Sequence, residues 1–272
     1  MEPLANARGP VRSTRLRQRL DSGGVAVAVA SHSLTSDTVD FLGQFGFDAV
    51  WLEGEHGSVT WDRIGDLSRA AELWGMAALL RIRMLDPTLI GRGLSLGAHG
   101  IVIPQVTTAD EVGVAVAAAR FAPDGQRGVT KGRRSWRPPG APADDFFATE
   151  NANTVLVVQL ESPAALAQID DIVDVDGVEV VFVAPNDLAQ AMGLQGQIDH
   201  PDVVAAVARI ADSGRVAAGT LCRPEHITRF TELGARFLYV TLDEWIRTAR
   251  LAISRRFLLY RSDAAEVSAV FC

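Results

Sequence analysis

Eight short runs of apolar, often β-branched residues recur along this chain, and amphipathic stretches of about ten to fifteen residues separate most of them. This alternation predicts βα units around a parallel sheet, because strands that are buried on both faces are apolar almost throughout. Eight such units predict an α/β protein with a single (β/α)8 barrel, the TIM barrel. The predicted strands cover residues 25–30, 48–53, 77–82, 100–104, 155–161, 178–185, 216–221 and 236–241.

The segments between these runs carry signals typical of helix termini. Polar residues and prolines stand where helices are expected to start, and glycines stand where they are expected to end. The expected starts are residues 35–37, Asp86-Pro87, Thr107-Thr108 and Ser162-Pro163, and the expected ends are Gly46, Gly75, Gly97, Gly214 and Gly234. We expect a flexible N-terminal arm over residues 1–13, the barrel over 14–256 and a C-terminal extension over 257–272.

Composition narrows the classes of partner. The 272 residues are 48% hydrophobic and carry a net charge of −7, so one large core is possible but a general nucleic-acid surface is not expected. Cys222 and Cys272 are too few for a disulfide framework or a thiolate zinc cluster, and they suit a reducing cytoplasm. The longest apolar runs fall short of the ~20 residues that a membrane helix needs. These features predict a soluble cytoplasmic protein that acts on small molecules, with no nucleic-acid or membrane partner.

Polar residues follow the carboxyl ends of the predicted strands. In a barrel these ends form one mouth, where active sites lie, so we expect residues that are distant in sequence to converge there. The residues concerned are His32, Glu53, Glu55, His56, Arg81, Arg83, Gln105, Gln159, Glu161, Asn186, Asp187, Thr220 and Asp243.

Two carboxylates in this set stand at the ends of neighbouring strands. Glu161 closes the fifth predicted strand and Asp187 follows the sixth. Adjacent strands lie ~4.8 Å apart, so the two side chains are able to share one ion, and oxygen ligands favour Mg²⁺, Mn²⁺ or a similar cation. The alternative is that each acid merely caps the helix that follows it.

Two arginines and a histidine are further candidates. Arg81 and Arg83 flank Ile82, so in an ideal strand both would face the same side, where a guanidinium suits a substrate carboxylate or an enolate oxygen. The alternative is an internal salt bridge to Glu53 or Glu55. His56 follows a turn that Gly54 permits and is a candidate general base, although a single loop histidine is more often structural.

The segment from Phe121 to Asn153 is predicted to be a long irregular loop, and its charge suits an anionic co-substrate. It contains Arg127, Lys131, Arg133, Arg134, Trp136 and Arg137. Lys131 is the only lysine in the chain, and a lysine in a solvated loop is a poor Schiff-base nucleophile. If the protein forms carbanions, a metal is therefore the better electron sink.

Several blocks of this sequence resemble the HpcH/HpaI aldolase family. They are FDAVWLEGEHG, LLRIRMLDPTLIGRGLSLGAHGIVIPQV, APDGQRGV, VLVVQLES and VFVAPNDLAQAMG, and they stand in the family's order between about Val25 and Trp245. The family consists of class II, metal-dependent aldolases that act on pyruvate-type donors. The resemblance therefore implies a lyase of 4-hydroxy-2-oxo acids that requires Mg²⁺, Mn²⁺ or Co²⁺.

The resemblance also implies roles for individual residues. Glu161 and Asp187 would hold the metal, Arg81 would steady the enolate oxygen, and His56 would be the acid/base. The donor site would be lined by Gln159 and by the backbone around Ala184 and Pro185. Members of the family typically form hexamers that are built from dimers, and the two subunits of each dimer exchange their C-terminal helices. The resemblance therefore implies a homo-oligomer in which the segment after Trp245 packs on a second subunit.

Three departures from the family pattern concern the acid/base step. Glu53 replaces the usual aspartate and is one methylene longer, although still able to bind a metal-bound water. Ser95 replaces an aspartate that orients the histidine, and Arg83 adds a positive charge where proline is usual. The resemblance thus leaves open a decarboxylase and enolate-addition activity of the macrophomate synthase type, or a barrel that only binds a 2-oxo acid.

Overall fold

The computed structural model describes residues 13–130, 143–251 and 253. Its eight strands are all parallel and close into a barrel in sequence order, which confirms the predicted (β/α)8 architecture. The strands are β1 (Ala26–Ala30), β2 (Ala49–Glu53), β3 (Ala77–Arg81), β4 (Gly100–Ile103), β5 (Val155–Leu160), β6 (Val180–Val183), β7 (Ala217–Leu221) and β8 (Phe237–Thr241).

Helices surround the barrel and start where the sequence predicts. Thr35, Asp86, Thr108 and Ser162 each cap a helix by accepting a backbone N–H with the side chain. The helices are α1 (Arg15–Asp21), α2 (Ser36–Gly43), α3 (Ile64–Leu73), α4 (Pro87–Leu96), α5 (Ala109–Ala119), α6 (Ala143–Asn153), α7 (Pro163–Ala167), α8 (Ile169–Val173), α9 (Pro185–Ala191), α10 (Pro201–Asp212), α11 (Ile227–Glu232) and a 3₁₀ turn, Pro224–His226.

Aromatic side chains fill the interior of the barrel. The Trp51 ring lies 4.6 Å from Tyr239 and 5.6 Å from Phe182, measured between ring centroids. Gly219 makes room for this cluster, because a Cβ atom there would lie 2.9 Å from Val180 and 3.0 Å from Phe182. The interior is therefore a packed core, as in other barrels of this size, and any site must lie at its mouth.

Helix α1 closes the opposite end of the barrel, a role that no sequence pattern predicts. Leu16 is fully buried and packs with the interior residues. Nearby, the Glu179 carboxylate accepts hydrogen bonds from Arg17 and Arg120, each at 2.9 Å, and from the Leu156 backbone N–H at 2.7 Å. This buried ion network ties α1 and the α5 end to the start of the sheet.

The prediction of one irregular loop from Phe121 to Asn153 is wrong over residues 143–153, which form α6. Its polar composition hides the helical period, yet Phe147 stacks on Phe121 at 4.7 Å and Asn151 bonds the Phe121 backbone. Arg127 is also not free for a co-substrate. It is buried, with its guanidinium over the Phe121 ring and 3.7 Å from Glu150, and burial lowers its pKa to about 10.

Some predicted features lie outside the described residues. These are the arm over residues 1–12, the basic positions Lys131, Arg133, Arg134, Trp136 and Arg137, and the C-terminal extension over 257–272. Within the part of the chain that is described, residues 242–251 continue β8 into a further helix. No described helix combines the length and apolar character needed to cross a membrane.

Candidate active site

Glu53 and Arg81 meet at the mouth of the barrel. Glu53 is the last residue of β2, Arg81 is the last residue of β3, and the two are partners in the register of these strands. Glu53 lies two residues after Trp51, and Arg81 lies two residues after Leu79. Because Trp51 and Leu79 face the interior of the barrel, the side chains of Glu53 and Arg81 point into its mouth. The buried Gln159 occupies the equivalent inward position on β5.

Arg81 is held by carboxylates on β2 and on the turn after it. Its Nε donates to both Glu53 oxygens at 3.0 and 2.8 Å, and its Nη2 lies 2.6 Å from Glu53 Oε2. Its Nη1 lies 3.1 Å from Glu55 Oε2 and 3.5 Å from the Gln159 side-chain oxygen. The internal salt bridge is thus present, and it leaves Nη1 as the atom that faces across the mouth.

Glu53 also fixes the turn that carries His56. Its Oε1 accepts the backbone N–H groups of Glu55 at 2.9 Å and His56 at 3.0 Å, while Oε2 accepts Trp51 Nε1 at 3.3 Å. Although burial raises the pKa of Glu53, hydrogen bonds from Arg81 bring it below its ordinary value. Both oxygens are fully engaged, so Glu53 positions Arg81 and the turn, and the expectation that it binds a metal-bound water loses its basis.

Gly54 is required where this turn crosses β3. Its N–H bonds the Arg81 carbonyl at 3.0 Å, and a Cβ atom at this position would lie only 2.5 Å from that same oxygen. Any side chain would therefore push the turn away from β3.

Glu161 and Asp187 lie close enough for their charges to repel, and neither caps a helix through a side-chain hydrogen bond. Ser162 caps α7 in place of Glu161, and α9 has no side-chain cap although Asp187 lies in its first turn. Glu161 Oε1 is buried without a hydrogen-bond partner among the described residues. Burial, followed by repulsion from Asp187 and Glu55, raises the pKa of Glu161 to about 7.

These features fit a divalent cation. A buried, unpartnered carboxylate oxygen beside a second carboxylate lacks a positive charge, and hard cations prefer such oxygen ligands. The described residues contain no cluster of three or more His, Cys, Asp or Glu side chains arranged to hold a metal. The protein would thus supply two ligands and leave the remaining positions for water and substrate.

The predicted donor-site residues lie beside this pair. Ala184 and Pro185 are buried at the start of α9, and the Ala184 N–H bonds the Leu160 carbonyl at 3.2 Å. Ala184 therefore stands next to Glu161 across the β5–β6 pair, with Gln159 two residues earlier on β5. The structure brings these three residues to the same side of the mouth as Glu161 and Asp187.

Three other predicted positions are less well placed. His56 is exposed, and its Nε2 lies 3.7 Å from Glu55 Oε2, beyond hydrogen-bond distance. β3 ends at Arg81, so the strand geometry that would place Arg83 on the face of Arg81 does not extend to Arg83. Arg83 is exposed, and its charge acts on Asp86, whose pKa is lowered mainly by Thr88. Ser95 is partly buried near the end of α4.

Gln105 contributes to the site in a way that the sequence did not reveal. It follows β4 with a φ of 57°, the left-handed region that residues other than glycine rarely adopt. Its backbone interacts with the Glu161 carboxylate and partly offsets the rise in the pKa of that carboxyl. Glutamine carries no sequence signal for this backbone conformation, so only the structure could show the contact.

The family model described as HpcH/HpaI aldolase/citrate lyase matches residues 28–244, which contain all eight strands except the start of β1. The chain belongs to the HpcH/HpaI family. The resemblance inferred from the sequence blocks is thereby confirmed, together with an aldolase-type barrel.

Two relatives are similar to most of this HpcH/HpaI chain. The hydroxypyruvate/pyruvate aldolase of Roseobacter denitrificans is 36% identical over 76% of this chain and 82% of its own length. The 5-keto-4-deoxy-D-glucarate aldolase of Salmonella arizonae is 35% identical over 76% of this chain and 81% of its own length. Both names describe carbon–carbon lyases.

Solved structures share the same fold. The HpcH/HpaI aldolase from Desulfitobacterium hafniense has a TM-score of 0.80 and 26% identity, covering 90% of this chain and 96% of that one. Macrophomate synthase has a TM-score of 0.75 and 22% identity, covering 91% and 89% of the two chains. At that identity, the second likeness concerns the fold alone.

Proposed function

We propose that the protein reversibly cleaves a 4-hydroxy-2-oxo acid into a pyruvate-type 2-oxo acid and an aldehyde, using a divalent metal held by Glu161 and Asp187. It is a carbon–carbon lyase of the aldolase class, in keeping with its family. The observation that carries the metal assignment is the unpartnered, buried Glu161 carboxylate beside Asp187.

Mg²⁺, Mn²⁺ and Co²⁺ all suit two carboxylate ligands. When bound, such an ion acts as a Lewis acid that polarises the 2-oxo group and shares the charge of the enolate. Glu161, directly after β5, and Asp187, in the first turn of α9, would hold such an ion.

Arg81 would supply a fixed positive charge for the enolate oxygen. Its Nε and Nη2 are occupied by Glu53, whereas Nη1 faces Glu55 and Gln159 at the mouth. A preorganised donor of this kind stabilises developing negative charge without reorganising during the reaction. Gln159 and the backbone at Ala184 and Pro185 would bind the donor carboxylate end.

His56 would manage the proton of the 4-hydroxyl group. In the cleavage direction its imidazole accepts this proton, the C3–C4 bond breaks, the aldehyde leaves, and the electron pair remains as the enolate. Return of the proton to C3 then gives the 2-oxo acid. No carboxylate lies within hydrogen-bond distance of the His56 ring among the described residues, and Ser95 supplies no charge, so we expect a weak base at this step.

Exchange of the pyruvate methyl protons for deuterium tests the enolate step directly. We expect exchange with Mg²⁺, Mn²⁺ or Co²⁺, loss of exchange with excess EDTA, and cleavage of at least one acid in a panel of 4-hydroxy-2-oxo acids. The absence of exchange with all three metals would overturn the proposal and leave a barrel that only binds a 2-oxo acid.

A second candidate, which the family resemblance leaves open, is decarboxylation of oxaloacetate followed by addition of the enolate to another molecule. The isolated His56 ring favours it, because decarboxylation needs no base at a 4-hydroxyl group. Release of CO2 from oxaloacetate without cleavage of any 4-hydroxy-2-oxo acid would select this reaction.

We also propose that the protein is a cytoplasmic homo-oligomer. Apolar side chains are exposed on the final helix, where a second subunit would cover them: Trp245, Ile246, Leu251 and Ile253. The net charge of −7 supports small molecules over nucleic acid as ligands. Sedimentation velocity tests the assembly, and a monomer at micromolar concentration would contradict it.

A further inference from the structure

A second histidine stands at the mouth, hydrogen-bonded to an acid. His32 follows β1 by two residues and Asp243 follows β8 by two residues, and these strands are neighbours with Ala30 opposite Thr241. His32 Nδ1 lies 3.0 Å from Asp243 Oδ2, and the His32 backbone helps to lower the pKa of this carboxyl. Asp243 therefore orients the ring of His32.

This pair belongs to the same mouth as the proposed donor site. The charges of Asp243 and Glu53 both act on Tyr239, whose ring packs against Trp51 beneath Arg81. In the closed order of eight strands, β1 lies opposite β5 and β8 lies opposite β4. His32 and Asp243 thus face the metal-binding carboxylates from across the opening.

The pair fixes which nitrogen of His32 carries hydrogen. Although burial raises the pKa of Asp243, hydrogen bonds from His32 bring it below its ordinary value, so the carboxyl is ionised and can only accept. Nδ1 must therefore be the donor. In the neutral ring, Nε2 is then an acceptor, and it is free in the described structure, on a side chain that is 88% exposed.

We propose that His32, oriented by Asp243, binds a hydroxyl group of the acceptor aldehyde through Nε2. The inference rests on the proposed function. In that proposal the 2-oxo acid end of the substrate occupies the β5–β6 side of the mouth. A barrel of eight strands is only wide enough for one small ligand. The aldehyde end of the substrate therefore extends across the mouth. A hydroxyl group can donate to Nε2, whereas a carboxylate cannot. The acceptor class is therefore a hydroxyaldehyde.

The test measures aldol addition of pyruvate to two acceptors of similar size. Glycolaldehyde carries a hydroxyl group where propanal carries a methyl group. We expect the wild-type protein to prefer glycolaldehyde in kcat/KM, and His32→Ala and His32→Gln to reduce that preference about tenfold, the effect of one lost hydrogen bond. Asp243→Asn should also reduce the preference for glycolaldehyde, because the amide can donate to Nδ1 and so stabilise the tautomer that carries its hydrogen on Nε2.

Controls separate this inference from other causes. Ser33→Ala changes an exposed neighbour in the same loop and should keep the wild-type preference. Thermal unfolding of each variant checks that it is folded. Glyoxylate, which carries a carboxylate instead of a hydroxyl group, is the third acceptor.

The outcomes are distinct. A wild-type protein without a preference for glycolaldehyde, or folded His32 variants that keep it, would overturn the role of His32. A greater loss with glyoxylate than with glycolaldehyde would overturn the hydroxyl assignment. Failure of the wild-type protein to exchange the pyruvate methyl protons would instead be a failure of the proposed function.

Discussion

The Arg81 guanidinium lies against both carboxylate oxygens of Glu53, with three nitrogen–oxygen distances between 2.6 and 3.0 Å. The same carboxylate accepts the backbone N–H groups of Glu55 and His56. The register of β2 against β3 therefore determines where the guanidinium points and how the His56 turn is held. A single side chain thus couples the proposed enolate-stabilising group to the proposed acid/base.

Glu53→Gln should impair both stability and catalysis. Both partners of the pair are largely buried, so removal of one charge leaves the other uncompensated and lowers the free energy of unfolding by about 3 kcal/mol. We expect kcat/KM for cleavage to fall about 100-fold, because a misaligned guanidinium loses contact with the enolate oxygen. Urea denaturation and steady-state kinetics provide the two measurements.

Asp170→Asn is the matched control for this variant. Asp170 pairs with Arg209 on the surface at 2.6 Å, and both side chains are exposed, so its loss should change the free energy of unfolding by less than ~0.5 kcal/mol. If Glu53→Gln were as mild as Asp170→Asn in both measurements, Glu53 would not position the site.

The barrel was predictable because its strands are buried on both sides and its helix starts are local. Buried parallel strands require apolar runs, and Thr108 caps α5 through a contact with Glu111 only three residues away. Helix α6 escaped prediction because its two phenylalanines are adjacent and not spaced by a turn. Helix α1 escaped because the burial of Leu16 depends on the open end of the barrel, which no local pattern reveals.

The site was predictable in its members but not in its contacts. Strand ends and family blocks together pointed to Glu161, Asp187 and Arg81, which the structure places at one mouth. They could not show that β3 stops at Arg81, or that Glu53 is saturated by N–H donors. These facts depend on where strands end and on distances across the barrel, which spacing along the chain does not determine.

Glu161→Gln should stabilise the metal-free protein at alkaline pH. The pKa of Glu161 is about 7 in the folded protein against an ordinary value of 4.5. The folded state therefore holds a proton that the unfolded chain releases, and stability falls as pH rises from about 4.5 to 7. Glutamine does not titrate, so the Glu161→Gln protein does not lose stability in this way. The difference in the free energy of unfolding between the variant and the wild type should therefore grow across that pH window and then level off.

Thermal unfolding in EDTA between pH 4 and 9 measures this difference. Glu232→Gln, which removes an exposed carboxyl at the end of α11, should give a difference from the wild type that does not grow over this window. Added Mn²⁺ should raise the unfolding temperature of the wild type and leave Glu161→Gln almost unchanged. Equal stabilisation of both proteins by Mn²⁺ would remove Glu161 from the metal site.

Glu179→Gln should affect stability alone. Its carboxylate lies at the amino-terminal end of the barrel between Arg17 and Arg120, so the substitution removes the carboxylate partner of Arg120 and one of the two carboxylate partners of Arg17, which also pairs with Asp21. We expect the free energy of unfolding to fall by about 3 kcal/mol and kcat/KM to stay within about twofold of the wild type, since catalysis occurs at the other end. A large loss of kcat/KM in the folded variant would contradict this separation.

Two substitutions at Gln105 separate its backbone from its side chain. Glycine adopts a φ of 57° freely, so Gln105→Gly should keep the backbone interaction with Glu161 and bind Mn²⁺ within about twofold of the wild type. A β-branched residue is strained there by about 1–3 kcal/mol, so Gln105→Val should shift the backbone and weaken Mn²⁺ binding about tenfold. Isothermal titration calorimetry measures both. Wild-type affinity in both variants would show that the backbone of Gln105 does not position Glu161, whereas an equal loss of affinity in both would assign the effect to the glutamine side chain.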